Sequence, residues 1–280
     1  MADLSVVLLT MGDRDAELAA AVASARAQRG VHTEVVVVGN GGPTPSGIDA
    51  DVVVELEENL GIPGGRNAGA AAATGGLVFF FDDDAELVGD DVLAGALERF
   101  AADDHLAAVG LGIVDEHGER TRRHQPRLGA GEAGPATSFP GGAVVVRAAA
   151  FDGVGGFEAA FFYALEETDL SWRLLDAGWG VRYEPSLLVR HPRTSPTRHE
   201  AFVERTARNR VWLAHRSLPW PLAACYVATW TAITGARSPR SLGAHLRGLR
   251  SGWSGRIGPR RPISWRTVVR MTRLGRPPVI

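Results

Sequence analysis

Residues 76–84 read GLVFFFDDD, an apolar run that stops on three consecutive aspartates. A short run of this kind fits a strand buried on both faces, as in parallel sheets covered by helices. The chain upstream repeats the pattern: SVVLLT (5–10), EVVVV (34–38) and DVVVEL (51–56) are further strands, with an amphipathic Ala-rich helix over 15–28 after the first. Downstream come a helix over 89–102, the strand LAAVGLGIV (106–114) and the strand GGAVVVRAAAF (141–151). They are followed by a helix over 162–178 that stops at Gly178 and a last strand over 181–191. Strands alternating with helices predict an α/β fold around a mostly parallel sheet flanked by helices.

Two stretches do not fit that alternation. The polar, Gly/Pro-containing segment 115–140 reads as a long mobile loop. Beyond 191 the patterns are helical: 198–216, the charge-free run LPWPLAACYVATWTAITGA (218–236), and Arg-rich helices to the end. Pro219 and Pro221 make 218–236 a poor spanning helix. We therefore expect a main domain over 1–216 and a helical, Arg- and Trp-rich extension over 217–280.

The 280 residues are 45% apolar and 22% charged, the balance of a globular protein and not of a disordered one. Cys225 is the single cysteine, which excludes an internal disulfide framework and fits a reducing cytoplasm. The N-terminus lacks the basic region of a secretory signal, with Asp3 ahead of the first apolar run. Every basic residue is arginine, and their distribution is uneven. Residues 1–190 hold 13 Arg against 30 acids, whereas 191–280 hold 17 Arg against 2. The two parts face different partners, or the second lies on an anionic surface.

Four constellations carry chemistry. Asp82, Asp83 and Asp84 end a strand at the mouth of the sheet, where α/β proteins bind ligands, and carboxylates there suit a hard cation. The same residues would also cap a helix. Asn59-Leu60-Gly61 and Gly64-Gly65-Arg66-Asn67-Ala68-Gly69 form a glycine-rich loop running into a short helix, apt for a diphosphate or simply a surface loop. Glu166 and Glu167 are adjacent acids near a helix start, so one of them is a candidate general base; acids favoured by the helix dipole look the same. His191 closes the last strand and is either a metal ligand or a lone histidine.

Taken together and in this order, N-L-G-x-x-G-G-R-N-x-G, the strand closing in D-D-D, G-G-F-E-x-x-F-F, E-E-T-D-L-x-x-R and the terminal R-H resemble the family 2 glycosyltransferases of the GT-A fold. The chain is most similar to the rhamnosyltransferase-like and galactofuranosyltransferase-like members of bacterial cell-envelope synthesis, over residues 4–216. The resemblance implies an inverting transfer of a sugar from a nucleotide-diphosphate donor to a hydroxyl of a glycan or lipid-linked glycan, with Mg2+ or Mn2+ as cofactor. It implies metal ligation by Asp84, Asp82 and His191, and donor or substrate contacts from Thr10, Arg14, Asn40, Asn59, Gly61, Gly65, Arg66, Asn67 and Asp83. Gly141, Gly142, Trp172 and Arg173 complete that substrate site, and Glu167 is the base, with Glu166 and Asp169 beside it.

Two departures stand out. The family's second strand ends V-D-N-G-S, with the aspartate on the nucleobase; here Val38-Gly39-Asn40-Gly41-Gly42 has glycine, which leaves UDP-, dTDP- and GDP-sugars open. The base position is Glu167 where the family usually has aspartate. Nucleotidyl transfer is the rival enzyme class, but it wants a basic glycine-rich loop after the first strand, and T-M-G-D-R-D offers only Arg14. A degenerate transferase serving as a scaffold is the non-enzymatic rival. The Arg/Trp-rich extension suggests a peripheral place on the inner face of the cell membrane, against anionic lipid; nucleic acid is not expected as a partner.

Overall fold

The computed structural model describes residues 2–120, 132–193, 199–255 and 257–279. The first half holds β1 (Leu4–Thr10), α1 (Asp15–Arg26), β2 (Thr33–Asn40), β3 (Val52–Leu56), α2 (Gly61–Ala72), β4 (Leu77–Asp82), β5 (Glu86–Leu87), α3 (Val92–Ala102) and β6 (Leu106–Val114). There follow β7 (Gly134–Pro135), β8 (Ala143–Arg147), α4 (Ala148–Gly153), α5 (Glu166–Asp176) and β9 (Gly180–Arg190). Four helices close the chain: α6 (His199–Ser217), α7 (Trp220–Arg237), α8 (Leu242–Ser254) and α9 (Trp265–Arg273).

The strands lie in the order β3-β2-β1-β4-β8-β6-β9-β5, with β7 on β9. β1, β2, β3 and β4 pair in parallel, β8 runs antiparallel between β4 and β6, and β6 and β9 are parallel again. The two-residue period of the strands sorts their side chains onto two apolar faces. Val7, Val36, Val38 and Phe80 point to one face; Val6, Leu8, Val35, Val37, Phe79 and Phe81 point to the other, under α1 and α3. On the first face Phe80, Phe151 and Phe157 form a ring cluster with centroids 5.1–5.4 Å apart.

Three expectations are corrected. The glycine-rich segment after Asn59 is not a loop leading to a helix: the helix begins at Gly61 and includes the whole run. GGAVVVRAAAF is a strand only over Ala143–Arg147, and Ala148–Gly153 turns into α4 because three alanines favour helix. Segment 115–140, read as a mobile loop, includes 121–131, which lie outside the described residues. Its described ends are paired: Val114 bridges Arg120, Asp115 accepts the backbone N–H groups of His117 and Glu119, and β7 adds to β9.

The Arg-rich helices pack on the same face as α5. Leu213, Leu218, Tyr226, Ile263, Val268 and Met271 join the core that holds Phe80 and Trp172. Gly248 and Gly252 let α8 meet α6 closely, against Ala207 and Val211, with the Trp212 indole donating to Gly252 O at 3.1 Å. No helix among the described residues is long and apolar enough to cross a membrane.

Candidate active site

Parallel pairing delivers the ends of β1, β2 and β4 to one edge of the sheet, and β9, separated from β4 by β8 and β6 and parallel to β4, ends at the same edge. Asp82, at the end of β4, and Asp84, two residues on, both face His191, the first residue after β9. His191 Nε2 is 3.5 Å from Asp82 Oδ2 and 3.2 Å from Asp84 Oδ1. One ligand atom from each of the three residues lies within 4.8 Å of the others, a spacing that one divalent ion spans. Burial works against a charged His191 ring, but its hydrogen bonds to both carboxylates and their charges carry it up to about 10. A proton on this ring sits where the negative charge of the site asks for a cation.

The other charges around the aspartates are cationic. Arg14 pairs with Asp84 and reaches Asp83 Oδ1 at 3.4 Å. Arg66, 4% exposed, donates to Asp82 Oδ1 at 2.7 Å and lies 4.0 Å from Glu166 Oε1. Burial would raise Asp82, but the His191 hydrogen bond and the charges of Arg66 and His191 outweigh it and hold Asp82 at about 2. Asp83 behaves differently. It turns toward Thr10 and Arg14, and burial together with its two acidic neighbours pushes it to about 6.

Gly142 lies so close to Asp82 that a Cβ would collide with the carboxylate, and a Cβ on Gly141 would come 2.9 Å from Arg66 Nη1 and 3.9 Å from Glu167 Cβ. The Gly141–Gly142 backbone thus runs between the aspartates and the start of α5. There Glu166 and Glu167 part ways. Glu166 is buried with Oε2 unpaired, and burial and the Glu167 charge raise it to about 8. Glu167 is half-buried and keeps a path to solvent. Burial thus favours the neutral form of Glu166.

The turn before α5 explains how that pair is presented. Phe162, Ala164 and Leu165 all have positive φ (64°, 73° and 72°), a costly set for residues with a Cβ. Asn209 of α6 holds it: its fully buried amide donates to the carbonyls of Phe161, Tyr163 and Ala164 at 3.1, 2.9 and 2.8 Å. Gly61, itself at φ 73°, abuts the Phe162 backbone, whose carbonyl accepts from Ile62 N at 2.9 Å. Asn209 escaped the sequence reading because a lone asparagine inside a helix carries no motif.

Several residues expected at the site also make structural contacts within the fold. Asp169 is fully buried; Arg173 binds one of its oxygens at 2.7 Å, and Ser217 (3.0 Å) and Arg216 (3.5 Å) approach the other, so it ties α5 to α6. Arg173 spends its remaining N–H groups on Val154 O and Gly156 O, both at 2.7 Å. Asn67 exchanges both hydrogen bonds with the Phe157 backbone at 2.8 and 2.9 Å. Gly65 is where α2 rests on Leu9, and Gly69 where it rests on Val7 and Val38, so these glycines serve helix–sheet contact. Asn40 donates to Asn59 Oδ1 (3.0 Å) and Gly61 O (3.2 Å) and accepts from Leu60 N, latching β2 to the start of α2. Trp172, 4% exposed, packs edge-on against Tyr226 of α7, with ring centroids 6.1 Å apart.

The place opened by Gly39 is not empty. A Cβ there would meet Glu55 Oε2 at 2.5 Å and Thr44 Oγ1 at 2.8 Å, so a carboxylate from β3 fills the end of β2 in place of one from β2 itself.

Comparison with known proteins gives a consistent result. The model of glycosyl transferase family 2 matches residues 5–168. A pre-mycofactocin glycosyltransferase of Mycobacterium tuberculosis is 46% identical over 52 residues, 19% of this chain and 11% of that protein. The N-acetylglucosaminyl-diphospho-decaprenol L-rhamnosyltransferase of the same organism is 34% identical over 103 residues, 36% of this chain. The match spans about a third of that relative's length. Among solved structures, a mannosyltransferase from Pyrobaculum calidifontis in complex with GDP-Man and Mn2+ superposes with a TM-score of 0.60 at 17% identity, over 97% of this chain and 79% of its own. At that identity the likeness speaks for the fold, a GT-A sheet flanked by helices.

Proposed function

Since the chain belongs to glycosyl transferase family 2, we propose that it passes a sugar from a nucleotide-diphosphate donor to a hydroxyl acceptor, with inversion at the anomeric carbon. The observation that carries this reading is the placement of Glu167 across the Gly141–Gly142 backbone from the Asp82, Asp84 and His191 cluster. Two carboxylates and an imidazole whose ligand atoms lie within 4.8 Å of one another suit Mn2+ or Mg2+. Such an ion, when bound, stabilises the negative charge that develops on a leaving diphosphate.

The rest is the work of this chain's own groups. Arg66 fixes the Asp82 carboxylate from behind, and Arg14 balances Asp84 and Asp83 until a ligand brings its own charges. Glu166, kept neutral by burial, adds no competing charge. Glu167 accepts the proton of the acceptor hydroxyl, whose oxygen then attacks the anomeric carbon on the face opposite the leaving group. A single displacement inverts that carbon. Incubation with UDP-, dTDP- and GDP-sugars and either metal tests the reading: one donor is expected to raise the melting temperature in a metal-dependent way and to hydrolyse slowly without acceptor. A chain that neither binds nor hydrolyses any of them acts as a scaffold.

The C-terminal helices support docking on an anionic membrane surface. Trp253 (70% exposed), Trp220 (62%) and Trp265 (57%) stand out of the fold, with Leu246 and Val269 beside exposed Arg247, Arg250, Arg266 and Arg273 on α8 and α9. Among the described residues, Arg193 and Arg216 pair with carboxylates of the acidic half. Arg247 pairs with Glu204 of α6 within the basic segment itself, and Arg205, Arg208 and Arg260 lie over aromatic rings. Exposed arginines contribute about 1 kcal/mol each near anionic head groups. Flotation with vesicles checks this: binding is expected to need anionic lipid and to weaken with salt, and equal recovery with neutral and anionic vesicles would refute it.

A further inference from the structure

A second cavity opens beside the start of α5, about 160 Å3 in volume. Its walls come from both halves of the chain: Ser138 ahead of the Gly141–Gly142 backbone, Thr168 next to Glu167, Arg210 of α6, Tyr226 and Trp230 of α7, and Arg276 after α9. Among the described residues its lining includes two guanidinium groups, four hydroxyl side chains and no carboxylate.

Arg210 is the central group. Its guanidinium lies 4.1 Å from the centre of the Trp230 ring, its Nε is buried without a hydrogen-bond partner, and among the described residues it has no carboxylate in reach. Burial weakens its hold on its charge, and the neighbouring Tyr226 only partly offsets this. A half-buried cation stacked on an indole and short of acceptors is costly alone and favourable once an anion arrives. Arg276 adds a second guanidinium, with Nη1 3.4 Å from Ser138 Oγ. Trp230, Met271 and Pro277 give the same cavity apolar walls. Leu165 and Thr168, on either side of the Glu166–Glu167 pair, line the cavity, which places it beside the proposed base.

We propose that this cavity binds the phosphate or diphosphate ester group of the acceptor, holding the neighbouring sugar hydroxyl against Glu167. The proposal rests on Glu167 as the base and names the acceptor class for that site. Arginine forks match phosphate oxygens in pairs, and the hydroxyl groups supply further donors. The apolar walls suit the lipid end of a prenyl-linked diphosphate; a water-soluble phosphate ester would use the same cationic groups without them.

The test is calorimetric titration of the full chain, in EDTA, with inorganic pyrophosphate and with farnesyl diphosphate. Pyrophosphate is expected to bind the native chain, and Arg210→Gln to weaken it by roughly tenfold or more, the worth of charge-assisted hydrogen bonds. Arg210→Lys should recover part of the loss. Tighter binding of farnesyl diphosphate than of pyrophosphate identifies a lipid-linked ligand, and equal binding identifies a soluble phosphate ester. If Arg210→Gln fails to fold, Arg276→Gln carries the same expectation. Wild-type affinity in the folded variants would overturn the site. The base reading fails separately: full transfer by Glu167→Gln would remove it while leaving the pyrophosphate result in place.

Discussion

The donor side and the acceptor side of this site are shaped by opposite means. On the donor side the backbone is made to fit by leaving side chains out. Gly142 admits Asp82, and Gly65 and Gly69 let α2 lie on β1 and β2, so close approach is written into the sequence as glycine. On the acceptor side Phe162, Ala164 and Leu165 keep their side chains in a left-handed turn, and the turn is held open by Asn209 from a helix more than forty residues away in the chain. The first device needs no left-handed backbone: none of these three glycines has a positive φ. The second is strained, and Glu167, the proposed base, follows directly on it.

The largest effect expected on this contrast comes from the base itself. Glu167→Gln keeps the shape and loses the proton acceptor, so kcat should fall by roughly 10²–10⁴ while donor affinity holds. Loss of donor binding in that variant would move Glu167 to the donor side and erase the contrast. A comparable loss from Glu166→Gln, with Glu167→Gln active, would exchange the two roles.

Asn209→Ala comes next. It removes the Asn209 donor from the Tyr163 and Ala164 carbonyls in a buried position, while Phe161 O keeps Arg208 and Tyr163 N, at a cost of about 1–3 kcal/mol, and frees the strained turn. The melting temperature should drop and kcat with it, with donor binding little changed. A variant that loses stability but keeps kcat would show that the turn does not position the base.

Glu166 supplies a pH signature of the same region. Its carboxyl is raised to about 8 from an ordinary 4.5 by burial and by Glu167. A group with a raised folded value favours the fold fully below pH 4.5, and that contribution is lost as the pH climbs through about 8. Thermal melts of the native chain should therefore decline over that window, and Glu166→Gln should flatten the decline. A native profile unchanged by the substitution would mean that Glu166 is not buried as a neutral acid.

The smallest effects test the glycine half directly. Gly65→Ala drives a methyl into Leu9 and should cost about 1–3 kcal/mol by pushing α2 off the sheet. Ala164→Gly should do the reverse and change stability by no more than about 1 kcal/mol, because it relieves a positive φ. Equal losses from both would deny that the two sides differ.

That asymmetry also accounts for what could be read in advance. The buried strands, Asp82, Asp84 and His191 were legible because each stands at a strand end, where a two-residue period and a parallel sheet fix the destination. Glu166 and Glu167 were legible as a pair, but only burial separates the neutral acid from the charged one. Asp169, Arg173 and Asn67 look like site residues in the motif and are anchors in the fold, because a motif does not say which way a side chain turns. The short β5 and β7 and the role of Asn209 left no local signal, since each depends on a partner distant in sequence. Gly39 looked like a loss until Glu55 was seen to stand in its place.

The central claim is that Asp82, Asp84 and His191 form the metal end of a sugar-transfer site. Turnover of the matching nucleotide-sugar by Asp84→Ala, with Mn2+ or Mg2+ and again in EDTA, tests it most directly. The account predicts a folded variant with no metal-dependent turnover, equal to the native chain in EDTA. Near-native turnover by Asp84→Ala, undiminished by EDTA, would contradict it.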